Sequence, residues 1–241
     1  MTGDGAGAMA GQVAVVTGAA GTVGRGVCRA LAAAGASVVA LDLDTSGLDG
    51  AAAIALDCDV TDPLACRVAI ERTVAELGGV DVLVNLAQKA VVETPVLDLD
   101  DALMEVSFAT GPTATVRMMQ LCHPHMAARG GGTVVNAGSN SGTDGTVGRA
   151  AYAAAKEAIR GITKVAAKEW GRDGIRVNAI CPWVPADPES EWARSKAAAS
   201  PLGRVGDAES DVGALVVFLA TTGTFMTGRT LFVDGGIGTW R

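Results

Sequence analysis

Short apolar runs alternate with longer segments of helical periodicity along most of the chain. The runs are rich in β-branched residues and predict buried strands over 12–17, 37–41, 53–56, 81–85, 133–137, 175–180 and 230–233. Between them, apolar residues recur at helical spacing, which predicts helices from about Val23 to Gly35 and over 62–77, 98–128, 149–171 and 208–221. Such alternation through short connections is typical of a doubly wound α/β domain, in which helices cover both faces of a parallel sheet.

Composition narrows the class of protein. Of the 241 residues, 49% are hydrophobic and 19% are charged, which suits one globular domain with a large core. We assign this domain to 12–241. Residues 1–11 are mostly Gly and Ala and lack the basic start and apolar centre of a signal peptide, so they predict a flexible tail. The longest apolar run, 213–220, is too short to cross a bilayer, and no membrane partner is expected.

Net charge and the use of cysteine and histidine argue against nucleic-acid binding and against metal or redox sites. The net charge is −7 and the basic residues form no stripe, which argues against a nucleic-acid partner. The five cysteines are odd in number and lack the spacing of metal or redox pairs, so we interpret them as buried free thiols of a cytoplasmic protein. The two histidines, His123 and His125, have no carboxylate cluster beside them, and no metal site is predicted.

A glycine-rich turn lies between the first predicted strand and the helix after it, with glycines at Gly18, Gly21 and Gly24. At the start of a helix, free backbone N–H groups and the helix dipole favour an anion, such as the pyrophosphate of a dinucleotide. Glycines also serve plain tight turns. The strand before the turn and the helix after it make a dinucleotide site the stronger prediction.

Asp42 ends the second predicted strand, where a carboxylate can accept hydrogen bonds from the hydroxyls of an adenosine ribose. The same charge repels a 2′-phosphate. No Lys or Arg lies at positions 19, 20 or 43 to neutralise one, so the sequence predicts NAD as the cofactor in preference to NADP. A carboxylate that is merely solvated at a strand end is the weaker alternative.

Tyr152 and Lys156 lie one turn apart on a predicted helix and therefore share a face. A nearby ammonium favours the phenolate and lowers the pKa of a tyrosine from about 10 toward the working pH, where a general base is most effective. Ser139, in the loop before this helix, can offer its hydroxyl to the same substrate oxygen. Because such Tyr–Lys pairs are common on helices, the catalytic interpretation depends on the other motifs of the chain.

These motifs together resemble those of the short-chain dehydrogenase/reductase family from Gln12 onward. The segments that carry the resemblance are 17–24, 59–60, Asn85, Ser139, Tyr152, Lys156, 178–182, 201–206, 227–228 and 233–236. The resemblance implies a single Rossmann-type domain with a seven-stranded parallel sheet in the order 3-2-1-4-5-6-7. It also implies a homo-oligomer, often a tetramer.

The activity that the resemblance implies is hydride transfer between NAD(H) and a small-molecule secondary alcohol or its ketone. Tyr152 would be the acid/base, Lys156 would hold the nicotinamide ribose and lower the pKa of the tyrosine, and Ser139 would orient the substrate oxygen. The implied cofactor contacts are Gly18, Gly21, Thr22, Val23, Asp42, Asp59, Val60, Asn85, Ala87, Tyr152, Lys156, Pro182 and Val184.

Several positions depart from the family pattern near the expected nicotinamide pocket. Thr22 stands where compact members usually carry a second glycine, and Gln88 stands where a glycine usually ends the Asn-Asn-Ala-Gly motif. The helix asparagine of a proton relay has no counterpart, and Ser107 is the nearest stand-in. A second hypothesis is therefore an NAD-binding protein with weak or no turnover that acts as a sensor or scaffold. The joint presence of the three catalytic residue types favours the enzyme.

A polar, proline-containing segment, 183–200, follows the sixth predicted strand at the sheet edge where open α/β folds bind ligands. In the resembling family this region is a lid over the substrate. We predict that Trp183 and Trp192 pack over the nicotinamide or the substrate, and that Gln88 and Asn140 also contact the substrate. An alternative with nearly equal support is that the two tryptophans only anchor the segment to the body of the protein.

Overall fold

Seven parallel strands form one sheet in the computed structural model, which describes residues 7–48 and 50–238. The strands are β1 Val13–Thr17, β2 Ser37–Asp42, β3 Ile54–Asp57, β4 Val82–Asn85, β5 Gly132–Ala137, β6 Ile175–Pro182 and β7 Thr230–Val233. They pair in the order β3-β2-β1-β4-β5-β6-β7, so the predicted doubly wound sheet and its strand order are confirmed. The strand order reverses beside β1, and open α/β sheets bind ligands in the crevice at the carboxyl ends of the strands there.

The connecting helices differ from the predictions at three places: π-helical turns interrupt the helices predicted over 98–128 and 208–221, and a short helix over 140–144 was not predicted. They are α1 Thr22–Ala33, α2 Pro63–Leu77, α3 Asp101–Phe108, α4 Ala114–Ala128, α5 Asn140–Asp144, α6 Ala150–Glu169, α7 Glu191–Ala199 and α8 Ala214–Ala220. The helix predicted over 98–128 is broken by a π-helical turn, Ala109–Thr113, that contains Pro112. Proline lacks a backbone N–H and its ring clashes with the preceding turn, which weakens regular helical bonding there, although Pro124 stands inside α4 without ending it.

Apolar clusters cover both faces of the sheet. Successive strand residues point to opposite faces. Val15 therefore joins one cluster, with Ile70 of α2 and Met118 of α4, while Val16 joins the other, with Leu31 of α1. Burial on both sides explains why the strands are continuous apolar runs. Polar groups with chemical roles are therefore concentrated at the strand ends and in the loops that follow them.

Residues 7–11, assigned from the sequence to a flexible tail, instead pack against the domain. Met9 is fully buried, and its backbone N–H donates to the carbonyl oxygen of Ala34 at 2.8 Å. One apolar side chain among Gly and Ala has no periodicity, so composition could not reveal this anchor. The tail prediction is wrong for 7–11, and residues 1–6 lie outside the described part of the chain.

The predicted lid, 183–200, is attached to the domain through α7. The Ser190 hydroxyl caps this helix by accepting a hydrogen bond from the backbone N–H of Ala193 at 3.1 Å, and Ala193 is fully buried. Movement of the segment on ligand binding stays a prediction. None of the helices within 7–48 and 50–238 combines the length and the apolarity that spanning a bilayer requires.

Candidate active site

The glycine turn brings bare backbone to the carboxyl end of β1. Gly18 has φ +69°, a conformation that side chains disfavour, and a Cβ there would stand 2.7 Å from the backbone nitrogen of Ala87. A Cβ on Gly24 would overlap the carbonyl group of Gly18. The turn therefore passes close to the segment after β4. At this turn α1 begins with Gly21 as its N-cap and has no acidic residue in its first turn.

Asp42, at the end of β2, is held beside this turn by two backbone hydrogen bonds. Its Oδ2 accepts from the N–H of Ala20 at 2.8 Å and its Oδ1 accepts from the N–H of Leu43 at 2.7 Å. The carboxylate borders a cavity of about 780 Å³, which we call the cofactor cavity. Its lining includes six predicted cofactor contacts, namely Gly18, Gly21, Asp42, Asp59, Val60 and Ala87.

Asp59, on the far wall of the cofactor cavity, is also fixed locally. Its Oδ1 accepts hydrogen bonds from the hydroxyl of Thr61 at 2.7 Å and from the backbone N–H of Thr61 at 2.8 Å. These bonds lower the pKa of the Asp59 carboxyl below its ordinary value. The carboxylate therefore stays ionised at neutral pH, and with Asp42 and Asp44 it gives this end of the cavity a negative charge.

Ser139, Tyr152 and Lys156 meet at the carboxyl end of β5. They line a neighbouring cavity of about 310 Å³, which we call the catalytic cavity. Ser139 caps α5 by accepting a hydrogen bond at Oγ from the N–H of Ser141 at 3.1 Å. Lys156 is buried, and its Nζ donates to the carbonyl oxygen of Ala137 at 2.9 Å and lies 5.5 Å from the ring centroid of Tyr152.

Burial shifts the pKa of both Tyr152 and Lys156 on α6. It raises the pKa of Tyr152 above its ordinary value, although hydrogen bonding with Ser139 and the positive charge of Arg149 act to lower it. Burial also lowers the pKa of Lys156 to about 8. The net shift for the tyrosine is upward, opposite to the direction that the sequence predicts from Lys156, because loss of water outweighs the favourable interactions.

The remaining predicted cofactor contacts divide into two groups. Val23, Pro182 and Val184 line the catalytic cavity, and Thr22 lines a small pocket beside it that also includes Val184. Asn85 lies elsewhere. Its Nδ2 donates to Oδ1 of Asn136, a buried residue on β5, at 2.9 Å. The Asn85 side chain therefore ties the two central strands together, and its contact with a cofactor stays a prediction.

Gln88 lies between the two cavities and lines both. Its Nε2 donates to the backbone carbonyl of Ser107 at 3.1 Å. Its Oε1 and the hydroxyl of Ser107 are buried and have no hydrogen-bond partner among the described residues. Buried polar atoms are usually paired with protein or water, so these two atoms are places where a bound molecule or a water can be held.

Two predicted substrate contacts are not placed in the catalytic cavity. Asn140 donates from Nδ2 to Oδ2 of Asp234 at 3.0 Å, which directs its amide toward the end of β7. Trp183 continues the pairing of β6 with β7 through its backbone N–H, which donates to Val233 at 2.9 Å, and it is absent from the cavity lining. Contact of either side chain with a bound substrate therefore stays a prediction. The side chain of Trp192 lies outside what the structure describes.

Arg149 lines the catalytic cavity and was not predicted. Its guanidinium carbon lies 5.8 Å from the ring centroid of Tyr152, and its Nε donates to Oε1 of Glu93 at 3.1 Å. The signal in the sequence is a basic residue three positions before the tyrosine, a spacing that places two side chains on one helical face. Ala90, Val91 and Gly138 complete the part of the lining that the sequence did not indicate.

Comparisons with known proteins identify the family. A sequence profile described as enoyl-(acyl carrier protein) reductase matches residues 18–238. A 12α-hydroxysteroid dehydrogenase from a Clostridium species is 35% identical over 252 residues, covering 95% of this chain and 97% of the relative. The L-xylulose reductase of Bos taurus is 34% identical over 240 residues, with 95% and 97% coverage.

A solved structure agrees at the level of the whole fold. A Sinorhizobium meliloti protein described as a short-chain alcohol dehydrogenase superposes with a TM-score of 0.87 at 32% sequence identity, covering 95% of this chain and 96% of the other. The sheet order, the glycine turn and the meeting of Ser139, Tyr152 and Lys156 in one cavity are those that the sequence resemblance implied. The chain therefore belongs to the short-chain dehydrogenase/reductase family of oxidoreductases, whose dehydrogenases use nicotinamide cofactors.

Proposed function

We propose that this protein is an NAD-dependent oxidoreductase that transfers a hydride between the nicotinamide and the carbon of a secondary alcohol or ketone. The observation that carries the proposal is that the two cavities are neighbours with shared lining residues. Leu86 and Gln88 line both the catalytic cavity, which contains Tyr152, and the cofactor cavity, which contains Asp42. A dinucleotide in the larger cavity can thus present its reactive end to the acid/base group in the smaller one.

Residues of this chain fit each part of such a cofactor. The glycine turn and the N-terminus of α1 suit the pyrophosphate, because backbone N–H groups and the helix dipole favour an anion there. Asp42 suits the hydroxyls of the adenosine ribose, and Lys156 suits those of the nicotinamide ribose. When bound, the nicotinamide supplies the hydride acceptor or donor.

Asp42 is also the reason for proposing NAD in preference to NADP. The carboxylates of Asp42, Asp44 and Asp59 line the cofactor cavity, and Lys89 is the single cation among its described lining residues. Arg25, on α1, is bound through Nε to the backbone carbonyl of Ala20 at 2.8 Å. A 2′-phosphate would meet this negative wall, and burying like charges together is unfavourable.

Tyr152 is the group proposed to move the proton at the substrate oxygen, and Ser139 is proposed to orient that oxygen. The raised pKa of Tyr152 keeps the phenol protonated at neutral pH in the protein alone, which suits donation to a developing alkoxide during reduction. Oxidation of an alcohol needs the opposite transfer. The positive charges of Arg149 and Lys156 beside the ring favour the phenolate in that direction.

Absorbance of NADH during turnover tests the proposal directly. The panel should contain secondary alcohols and ketones of several classes, including hydroxysteroids, sugar alcohols and ketoses, because relatives are named for such compounds. An enoyl thioester belongs in the panel as well, given the description of the matching family profile. Turnover with NAD and much weaker turnover with NADP is expected. Tight NAD binding without turnover of any panel member would instead support the sensor or scaffold alternative.

We also propose that the protein assembles with copies of itself, with a tetramer as the expected state. The edge strand β7 is only half-buried, and Phe225 next to it along the chain is fully exposed. Large apolar groups at a sheet edge are commonly covered by a partner. Light scattering of the purified protein gives the mass in solution, and a monomer at micromolar concentration would contradict this part of the proposal.

A further inference from the structure

The wall of the catalytic cavity is positively charged. Two of its lining side chains, Arg149 and Lys156, are cations, and none of the described lining residues is Asp or Glu. A cavity with one sign of charge and poorly hydrated walls concentrates ligands of the opposite sign. The charge therefore bears on which alcohol the site accepts.

The two cations differ in the partners that they already have. Lys156 is buried against the carbonyl oxygen of Ala137 and is the proposed ligand of the nicotinamide ribose. Arg149 uses Nε for Glu93, while its two terminal nitrogens have no hydrogen-bond partner within the described part of the chain. These nitrogens form one edge of a planar fork that matches the two oxygens of a carboxylate.

Arg149 is held in place before any ligand arrives. A parallel β-bridge joins its backbone to that of Thr94, and the N–H of Thr94 donates to the carbonyl oxygen of Gly148 at 2.8 Å. The ion pair with Glu93 adds a side-chain restraint, although Glu93 is well exposed and the pair itself is weak. The guanidinium is thereby kept beside the Tyr152 ring, where the reacting oxygen of the substrate is proposed to bind.

We propose that the natural alcohol carries a carboxylate and that Arg149 binds it, so that the enzyme interconverts a hydroxy acid and the corresponding oxo acid. This inference rests on the proposed function and specifies its substrate class. The cavity wall also has apolar side chains, those of Leu86, Ala90 and Val91. Such a wall suits a hydrocarbon body between the hydroxyl and the carboxylate better than a chain of further hydroxyls.

The direct test compares matched acids and amides as substrates. Lactate, β-hydroxybutyrate and γ-hydroxyvalerate place the carboxylate at increasing distances from the hydroxyl, and each has a primary amide of nearly the same shape without the charge. For the best-fitting member, kcat/KM is expected to favour the acid by about 10- to 100-fold, the usual worth of a hydrogen-bonded charge pair. In Arg149→Gln this ratio should fall to near one. Because any effect of the variant on Tyr152 acts on acid and amide alike, it cancels in the ratio.

Glu93→Gln is the matched control, because it breaks the same ion pair and keeps the guanidinium. The acid-to-amide ratio should be retained or increased in this variant, and Arg149→Lys should keep part of it. A ratio near one in the wild type, or an equal loss of the ratio in Glu93→Gln and Arg149→Gln, would overturn the assignment. Thermal unfolding of each variant identifies any that fail to fold.

Binding measurements separate failure of this inference from failure of the proposed function. Calorimetric titration with β-hydroxybutyrate and γ-hydroxyvalerate, with and without NADH, needs no turnover. Binding that is lost in Arg149→Gln supports the carboxylate site even if no alcohol is oxidised. Turnover of neutral alcohols together with the absence of carboxylate preference and of carboxylate binding overturns this inference and leaves the oxidoreductase proposal standing.

Discussion

The cofactor side and the substrate side of the cleft are built in different ways. On the cofactor side, Asp42 and Asp59 follow adjacent strands, and each is held by backbone or hydroxyl donors nearby. On the substrate side, Gln88, Ser139 and Arg149 come from three separate loops and helix ends. The two carboxylates of the first side belong to the β2–β3 stretch, although Asp42 is also held by Ala20 of the glycine turn, whereas the residues of the second side come from segments far apart in the chain.

Because the two sides are built differently, substitutions on one side should have effects that are separable from those of substitutions on the other. Loops carried on a rigid scaffold can vary in side chain without disturbing the sheet, which is why binding specificity commonly lies in them. A change on the cofactor side should alter NAD affinity for every substrate. A change on the substrate side should alter turnover or substrate preference and leave NAD affinity nearly constant.

The largest expected effect comes from Tyr152→Phe. Removing the phenol hydroxyl takes away the proton-transfer group, and kcat should fall by about 10²–10⁴, the usual contribution of a positioned acid/base. NAD affinity, measured by fluorescence or calorimetry, should change little. Ser139→Ala should also lower kcat, with Ser141→Ala as its matched control, since the Ser141 side chain is absent from the cavity lining. Near wild-type turnover in Tyr152→Phe would remove the basis of the mechanism.

Asp42→Ala should have the next largest effect, this time on the cofactor side. Loss of the charged acceptor at the ribose should narrow the preference for NAD over NADP by roughly 10- to 100-fold. Asp44→Ala removes the same charge from the same cavity, but Asp44 is exposed, whereas Asp42 is half-buried, so water and salt screen the Asp44 carboxylate more strongly. It should therefore narrow the preference much less. Equal effects of the two variants would mean that the total charge of the cavity, and not the placement of Asp42, selects the cofactor.

Gly18→Ala tests whether the backbone conformation and close packing of the turn require a residue without a side chain at position 18. With φ +69° and a Cβ that would crowd Ala87, this variant should lower the free energy of unfolding by about 1–3 kcal/mol. Gly21→Ala is the matched comparison, because Gly21 has φ −70° and a Cβ there meets only the Gly18 carbonyl oxygen at 3.4 Å. Denaturant unfolding of both variants gives the comparison, and equal stabilities would contradict it.

The smallest effect is a shift in the titration of the phenol. Tyr152 is the single tyrosine of the chain, so tyrosinate absorbance reports its pKa directly. We expect the pKa to lie above its ordinary value of 10.0, because burial disfavours the phenolate, and to rise further in Arg149→Gln, which removes a charge that favours it. Arg172→Gln, just beyond the opposite end of α6, is the control and should leave the titration unchanged. A pKa at or below the ordinary value would show that the nearby cations outweigh burial.

Local sequence patterns were sufficient to predict the strands of the sheet, the glycine turn and the Tyr152–Lys156 pair. Strand runs, helical spacing and turn glycines are properties of neighbouring residues, and the strand order followed from the resemblance that these motifs carry. The interruption at Pro112 was not predicted, because proline disfavours a helix interior without always ending the helix, as Pro124 inside α4 shows.

Contacts between residues far apart in the chain could not be predicted from such patterns. Asn140 is paired with Asp234, 94 positions away, and Arg149 with Glu93, 56 positions away. Met9 is buried against the end of α1 although its neighbours predict a free tail. Each of these contacts depends on which loops pack together at the edge of the sheet, and the local periodicity of the sequence does not predict that packing. The shift of the Tyr152 pKa has the same origin, because the burial that raises the pKa comes from packing around the whole cavity. The sequence pattern showed only the lysine four residues away, which by itself predicts a lower pKa.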